Sequence, residues 1–375
     1  MPMPWIDILY LHYVNEDGTA SIGGVQSYIR EISLILTELG AQVRICQFAD
    51  RPFSLKLAEH ISVEGFAISE TKAASRYQAL YDASLRTQKE GFAFTLFATD
   101  NIIPKKLKGK AMAIQHGIAW DIPRDRGNIP LLRQFLSRCR SAYSTVRRVG
   151  QVQQVVCVDY NFLNWYRTQV DAPKTKLTVI PNYTHIAPPT EKPSERINLI
   201  FARRLVDYRG TRVFTEAVKP LLHKYEHLHI TIAGSGPDES WMKQQLAPYD
   251  QVRFIQYQAQ DSLLIHKDQH IAVVPTVGAE GTSLSLLEAM AAGCAVICTD
   301  VGGMTQIIAN GYNGLMVPAG NANALRHGIE ELIQEGQYRK ALADTGYEYV
   351  KTAYSYDRWR NRWIQVLRDM LGEEV

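Results

Sequence analysis

Short apolar runs alternate with amphipathic ones along the whole chain. Ile6–His12 is apolar enough for a buried strand and is followed by a polar loop holding Asp17-Gly18. From Val25 to Leu39 the apolar positions Val25, Tyr28, Ile29, Ile32, Ile35, Leu36 and Leu39 recur at helical spacing, and Gly40 supplies the stop. Gln42–Phe48 predicts the next strand. Further strands fit 92–98, 110–115, 154–158 and 177–180, the last closed by Pro181. His185–Arg196, with three prolines, reads as a linker. A second series then begins, with strands at Ile197–Ala202, Leu228–Ala233, Val252–Ile255, Ile271–Val274, Ala295–Thr299 and Gly314–Val317, separated by helical segments. Apolar strands alternating with helices predict parallel sheets covered on both faces. In such sheets ligands bind beyond the C-terminal ends of the strands, at helix N-termini, so the loops after the strands are where chemistry is expected.

The length of 375 residues suits two domains of roughly 150–200 residues each. With 46% hydrophobic and 21% charged residues, the composition is that of an ordinary globular protein and argues against disorder. No window of about 18 apolar residues exists, and the N-terminus lacks a basic n-region and a small-residue cleavage site, so neither a spanning helix nor a secretory signal is expected. The five cysteines, 46, 139, 157, 294 and 298, are scattered. Cys294 and Cys298 would lie about 13 Å apart on a strand at roughly 3.3 Å per residue, too far for a disulfide. A reducing cytoplasm is the expected location. The net charge of +3 is uneven: residues 101–150 carry eleven basic and two acidic side chains, a balance of 11 − 2 = +9.

Candidate chemistry concentrates after the strand Ile271–Val274, in Glu280-Gly-Thr-Ser-Leu-Ser-Leu-Leu-Glu288. Thr282 or Ser283 is a natural N-cap. Leu284, Leu286, Leu287, Ala289, Met290, Ala291 and Ala292 make the helix apolar nearly all round, which implies burial and a partner for the Glu288 carboxylate. Glu280 lies before the helix and Glu288 inside it, so the two can grip separate parts of one ligand. The N–H groups of residues 282–284 suit phosphate or sugar oxygens. A surface Glu and a capping Glu beside an ordinary core helix fit the spacing equally well.

The segment resembles the E-x7-E signature of retaining glycosyltransferases with the GT-B fold, particularly glycosyltransferase family 4. Gly23-Gly24 resembles the paired glycines that open the family's first helix. Arg204-Leu205-Val206 with Arg209-Gly210 resembles its R-L-V-x-x-K-G segment, and Gly234-Ser235-Gly236-Pro237 its G-x-G-P turn. Pro181-Asn182, Val301-Gly302-Gly303 and Asn310-Gly311-x-x-Gly314 fall in matching order. The resemblance implies two Rossmann-like domains facing across a cleft. An acceptor-binding domain would span 1–184, a donor-binding domain 185–355, and residues 356–375, with Trp359 and Trp363, a helix returning to the first domain. It implies that Arg204 and Arg209 neutralise the donor diphosphate, that Glu280 meets a sugar hydroxyl and Glu288 the ribose. Gly281, Thr282, Ser283, Leu284, Gln256 and Tyr257 would complete the donor site. Gly24 would let the backbone approach the distal phosphate, and His116, after a strand in the first domain, would face the donor sugar. The co-substrate would be a nucleotide sugar, UDP- or GDP-linked, with no metal or other cofactor required.

The sequence departs from that pattern at several points. Arg203 stands where the family has glycine, Arg209 where it has lysine, Tyr183 where the third residue of P-N-G would be, Gln26 where an acidic residue is frequent, and Gln256 where glycine usually follows the third strand. Rival readings fare worse. A dehydrogenase would need G-x-G-x-x-G, but Glu239 occupies the third glycine's place. A glycosidase needs two carboxylates flanking one bond, whereas helix geometry separates Glu280 and Glu288 by roughly 80° in direction. His223-x3-His227 and His266-x3-His270 have metal-like spacing without an acidic companion motif and read as solvated helix ends. A nucleotide-sugar-binding GT-B protein without transferase activity, or a GT-B epimerase or phosphorylase, stays open. The expected acceptor is a glycan, a lipid-linked or a small molecule, as in polysaccharide biosynthesis. The basic 105–148 stretch suggests peripheral contact with an anionic membrane at its inner face. No aromatic platform supports nucleic-acid binding.

Overall fold

The computed structural model describes residues 3–15, 17–19, 23–118, 130–188, 190–193, 195–258, 261–278 and 280–372. The described residues form two units: those within 3–116, 130–180 and 360–372 in one, those within 117–118 and 181–359 in the other. In the first unit the chain order is β1 (Trp5–Leu9), α1 (Gly24–Glu38), β2 (Gln42–Ala49), β3 (Phe53–Ala58), β4 (Ile61–Ala67), α2 (Ala73–Arg86), β5 (Phe92–Phe97), β6 (Ala111–Gln115), α3 (Leu131–Val149), β7 (Gln154–Cys157), α4 (Tyr160–Arg167) and β8 (Lys176–Val179). The strands lie in the order β3-β4-β2-β1-β5-β6-β7-β8. All pairs are parallel except β3 with β4. That edge hairpin is absent from the sequence-based expectation. Its strands have no continuous apolar run: the edge strand β3 is half-buried to exposed, and β4 alternates buried and half-buried positions, as a strand with one face on the core does.

The floor of this unit is a buried ion pair. Asp7 on β1 and Arg44 on β2 are register partners. Arg44 donates from Nε to Asp7 Oδ1 at 2.8 Å and from Nη2 to Asp7 Oδ2 at 2.6 Å. Its remaining hydrogens go to Glu64 and to the Ser84 and Thr87 carbonyls that end α2. One guanidinium thus ties three strands and a helix end, with its five donors in the fixed fork that such a junction needs.

The second unit runs β9 (Ile197–Ala202), α5 (Thr211–Lys224), β10 (Leu228–Ala233), α6 (Glu239–Leu246), β11 (Val252–Ile255), α7 (Ser262–His266), β12 (Ile271–Val274), α8 (Leu284–Ala291), β13 (Ala295–Thr299), α9 (Met304–Ile307), β14 (Leu315–Val317), α10 (Ala322–Gln334) and α11 (Gly336–Ala353). Its sheet is parallel throughout, in the order β11-β10-β9-β12-β13-β14. Alternate strand residues feed two cores. Leu199 and Phe201 pack with Phe214, Leu221, Met242 and Ile329 on one face, and Ile200 and Ala202 with Leu287, Met290, Ile307 and Val350 on the other. The helix α12 (Tyr356–Leu371) supplies Trp359 to the second unit and buried Trp363 to the first, where its indole N–H donates to the Tyr28 hydroxyl at 3.0 Å. No helix of the described residues is long and apolar enough to cross a membrane.

Both sheets reverse strand direction of growth beside their first strand, β1 against β5 and β9 against β12. In parallel sheets such a reversal places the ligand crevice at the strands' C-terminal ends. Replacing Arg44 by methionine should strand Asp7 as an unpaired buried carboxylate and cost about 3–5 kcal/mol in denaturant unfolding. An unchanged unfolding midpoint would mean that the pair contributes nothing.

Candidate functional site

In the second unit the loops that follow β9 and β12 meet at this reversal and hold a buried charge cluster. Arg203 comes directly after β9 and Arg209 closes the turn that leads into α5. Glu280 comes from the loop after β12. Arg203 Nη2 donates to Glu280 Oε2 at 2.8 Å and its Nη1 to Thr276 Oγ1 at 2.6 Å. The Thr276 hydroxyl donates to the same Oε2 at 2.8 Å, and Arg209 Nη1 also ends there. The Arg203 and Glu280 side chains are 4% and 9% exposed, that of Arg209 25%. Burial alone raises the Glu280 carboxyl. The charges of Arg203 and then Arg209, with the Thr276 hydrogen bond, more than offset this and hold it below the ordinary glutamate value. Glu280 is therefore ionised. All three donors use Oε2, and Oε1 accepts from no described residue.

Two glycines let these loops meet. Gly210 has φ +86°, and a Cβ there would lie 1.9 Å from the Pro275 carbonyl oxygen. Gly302, at φ +55° after β13, carries the Glu280 backbone so closely that a Cβ would lie 2.0 Å from its carbonyl oxygen. Gly303 then donates its N–H to that oxygen at 2.9 Å. Here the R-G and G-G motifs are close approaches of backbone to backbone. Asn182 adds a third anchor, donating from Nδ2 to the Thr282 carbonyl at 2.8 Å.

Past Glu280 the chain enters α8. Ser283 occupies the N-cap position as the sequence suggests, but its side chain makes no capping bond, and its buried Oγ has no partner among the described residues. Glu288 sits one turn further in. Burial pushes its carboxyl up to about 7, with the nearby Ser262 hydroxyl pulling the other way. Tyr257, just past β11, is pushed up to about 12 by burial and then by the Glu288 charge, so the two side chains share one environment. Gln256 beside it is exposed. The two glutamates are thus set apart electrostatically, one fixed as a carboxylate and one poised near neutrality.

The remaining candidates divide. Arg204 is exposed, and its guanidinium bonds no described residue. Gly281, Thr282, Ser283 and Leu284 lie where α8 begins, Leu284 exposed and Ser283 buried. In the first unit, Gly23 and Gly24 open α1, and Gly23 adopts an extended backbone that any residue can take. His116 follows β6 with Nε2 2.9 Å from the Ala98 carbonyl and its ring 5.4 Å from that of Tyr28. A carbonyl only accepts, so Nε2 carries the hydrogen. Burial lowers the ring to about 4, leaving it neutral with Nδ1 as an acceptor.

Two expectations need correcting. His266 is no solvated helix end: it is buried with Nδ1 2.7 Å from the Ser262 carbonyl, and His270 accepts from the Asn198 N–H at 3.1 Å. Both belong to the sheet's lower edge, while His223 and His227 are exposed. Arg203, read from the sequence only as a departure from the glycine pattern, is the innermost member of the cluster. The one signal for it was a charged residue at the end of an otherwise apolar strand.

Residues 183–349 match the family model described as glycosyl transferases group 1. A D-inositol 3-phosphate glycosyltransferase of Corynebacterium urealyticum is 23% identical over 95% of this chain and 93% of its own length. A phosphatidyl-myo-inositol mannosyltransferase of Mycobacterium leprae is 26% identical over 43% of this chain and 42% of its own. Among solved structures, a sucrose-phosphate synthase of Thermosynechococcus elongatus shares the fold with a TM-score of 0.76 at 16% identity, covering 99% of this chain and all (100%) of its own. HepE of Anabaena, solved with UDP and glucose, gives 0.71 at 16% identity, covering 96% and 98%. The two parallel-sheet units are those of the GT-B fold. The segment that matches the glycosyl transferases group 1 model contains the whole Arg203–Glu280–Arg209 cluster, and the motifs fall in the same order.

Proposed function

We propose that this protein is a retaining glycosyltransferase that moves a hexose from a UDP- or GDP-sugar to a glycan, lipid-linked or small-molecule acceptor. The observation that carries the reading is Glu280. It is an ionised carboxylate fixed at the sheet's switch point with one oxygen left over, flanked by arginines and by the start of α8. As the bond from the sugar's anomeric carbon to the diphosphate breaks, negative charge grows on the leaving phosphate. Arg204, Arg209 and the N–H groups at the start of α8 suit that charge, and the orphaned Ser283 hydroxyl adds a donor. Glu280 Oε1 accepts a hydrogen bond from a sugar hydroxyl. The acceptor oxygen attacks on the face the phosphate leaves, and the phosphate takes the acceptor's proton, so no protein base is assigned. Relatives named as glycosyltransferases, and a fold neighbour solved with UDP and glucose, support a nucleotide-sugar donor.

Helix α3 favours a lipid-linked acceptor or a lipid surface. Leu131, Leu132, Phe135, Leu136 and Tyr143 are all more than half exposed. At 100° per residue they span roughly 140° of the helix, bounded by Arg138 on one side and Arg133, Arg140 and Arg147 on the other. An apolar stripe edged with arginine suits an interfacial helix on an anionic leaflet, where each basic residue contributes on the order of 1 kcal/mol.

Three outcomes are expected. Incubation with UDP- or GDP-sugars should release nucleoside diphosphate, faster with acceptor, and NMR of the product should show the donor's anomeric configuration. A binder without turnover, or an inverted product, would overturn the reading. Glu288→Ala should weaken donor and free nucleotide alike by roughly 1–3 kcal/mol, the size of a lost charged hydrogen bond. Because ribose hydroxyls bond the ionised carboxylate more strongly than the neutral acid, nucleotide affinity in the wild type should be full above about pH 7 and fall as pH drops through it. Glu288→Gln should abolish that step in calorimetry. Finally, the protein should sediment with phosphatidylglycerol vesicles at low salt and be released at high salt, but not with phosphatidylcholine vesicles. No binding to the anionic vesicles would leave a soluble acceptor.

A further inference from the structure

Arg203 cannot itself touch a ligand, since its side chain is 4% exposed and lies beneath Glu280. Its backbone is fixed from two sides. Its N–H donates to the Ala233 carbonyl at 2.9 Å, continuing the β9–β10 ladder, and its carbonyl lies where a Cβ on Gly234 would come within 2.2 Å. From this anchored position the guanidinium reaches Glu280 and Thr276 together, and the Thr299 hydroxyl holds the Thr276 carbonyl at 2.5 Å. Glu280 is thereby held through Oε2 by Arg203 and Thr276, just past the ends of β9 and β12, and Thr299 on β13 braces Thr276.

Arg209 differs. It is a quarter exposed, sits on the turn before α5, and spends one nitrogen on the same Oε2. A diphosphate arriving in the crevice competes for that guanidinium. Once Arg209 turns toward phosphate, Glu280 loses one of its two cations while remaining buried. A buried carboxylate without a cation takes up a proton, and its free oxygen then no longer offers a reliable acceptor.

We infer that Arg203 is a positioning residue for Glu280: it keeps the carboxylate ionised and Oε1 turned toward the transferred sugar when Arg209 is drawn to the donor's diphosphate. The inference rests on the proposed function for the identity of the ligand, but its first half concerns the protein alone. It predicts a division of labour. Arg209 serves both diphosphate and glutamate, and Arg203 serves only the glutamate. Nucleoside diphosphate affinity should therefore be insensitive to Arg203, while sugar-dependent steps depend on it.

The test compares wild type, Arg203→Gln, Arg203→Lys and Arg209→Gln. In Arg203→Gln, calorimetric affinity for UDP or GDP should stay within about twofold. Turnover of the nucleotide sugar near neutral pH should fall roughly tenfold or more, as for a lost charge-assisted hydrogen bond. The fall should appear in kcat rather than KM, and the acid limb of the rate profile should move upward. Arg203→Lys keeps the charge, so its acid limb should stay near that of wild type and part of the turnover should return. Arg209→Gln should lose nucleotide affinity and turnover together. Protein labelled with carboxyl-13C glutamate gives a readout without donor or activity: one low-titrating resonance, absent in Glu280→Gln, should titrate higher in Arg203→Gln. If that resonance does not move, or if Arg203→Gln loses nucleotide affinity and turnover equally, the inference is overturned. Failure of both Arg203 variants to fold would also overturn it, making Arg203 a structural residue. A wild type that binds no nucleotide sugar while the resonance still shifts would instead count against the proposed function.

Discussion

A carboxylate taken out of water must be paired or protonated, and the second unit is arranged around one that is paired. Glu280 is held by Arg203 and Arg209 at the point where the sheet's growth reverses. That pairing requires the loops after β9 and β12 to lie side by side. The strand order makes them neighbours, and Gly210 removes the side chain that would keep them apart. The loop after β13 then closes from beneath through Gly302 and Gly303. The charge pair, the glycines and the strand order are thus one constraint seen at three scales.

The same physics separates the two glutamates of the E-x7-E segment. Glu280 has cations within hydrogen-bond reach and stays charged. Glu288 has none, lies among the apolar side chains that bury α8, and is pushed up to about 7. One side chain is committed to a single state and the other is able to respond to a ligand. The first unit uses a buried pair differently. Asp7 and Arg44 satisfy each other and the end of α2 so fully that nothing is left over for a ligand, as befits a structural junction.

Much of this was legible in the sequence because strands buried on both faces read as continuous apolar runs. β9, β10, β11, β12 and β13 fall on the segments that such runs predict, within a residue. The β3–β4 hairpin escaped because its strands alternate over few residues and carry no continuous apolar run. Glu280 and Glu288 stood out by their spacing, but their opposite electrostatics did not, since the partners that decide it are distant in sequence. Arg203 and Glu280 are 77 residues apart. A positive charge at the end of β9 shows locally only as a misfit to a glycine pattern. For the same reason the burial of His266 was invisible, because it depends on the packing of α7 rather than on its own neighbours in the chain.

The central claim is that a nucleotide sugar lies at the β9–β12 switch point with its sugar on Glu280. A crystal structure of the protein with an unreactive nucleotide-sugar analogue tests this most directly. The account predicts a sugar hydroxyl within hydrogen-bond distance of Glu280 Oε1, the diphosphate at Arg209 and the start of α8, and the ribose at Glu288, with the Arg203–Glu280 pair intact. A nucleotide bound elsewhere in the second unit, or bound in the crevice with Glu280 Oε1 left facing solvent, would contradict it.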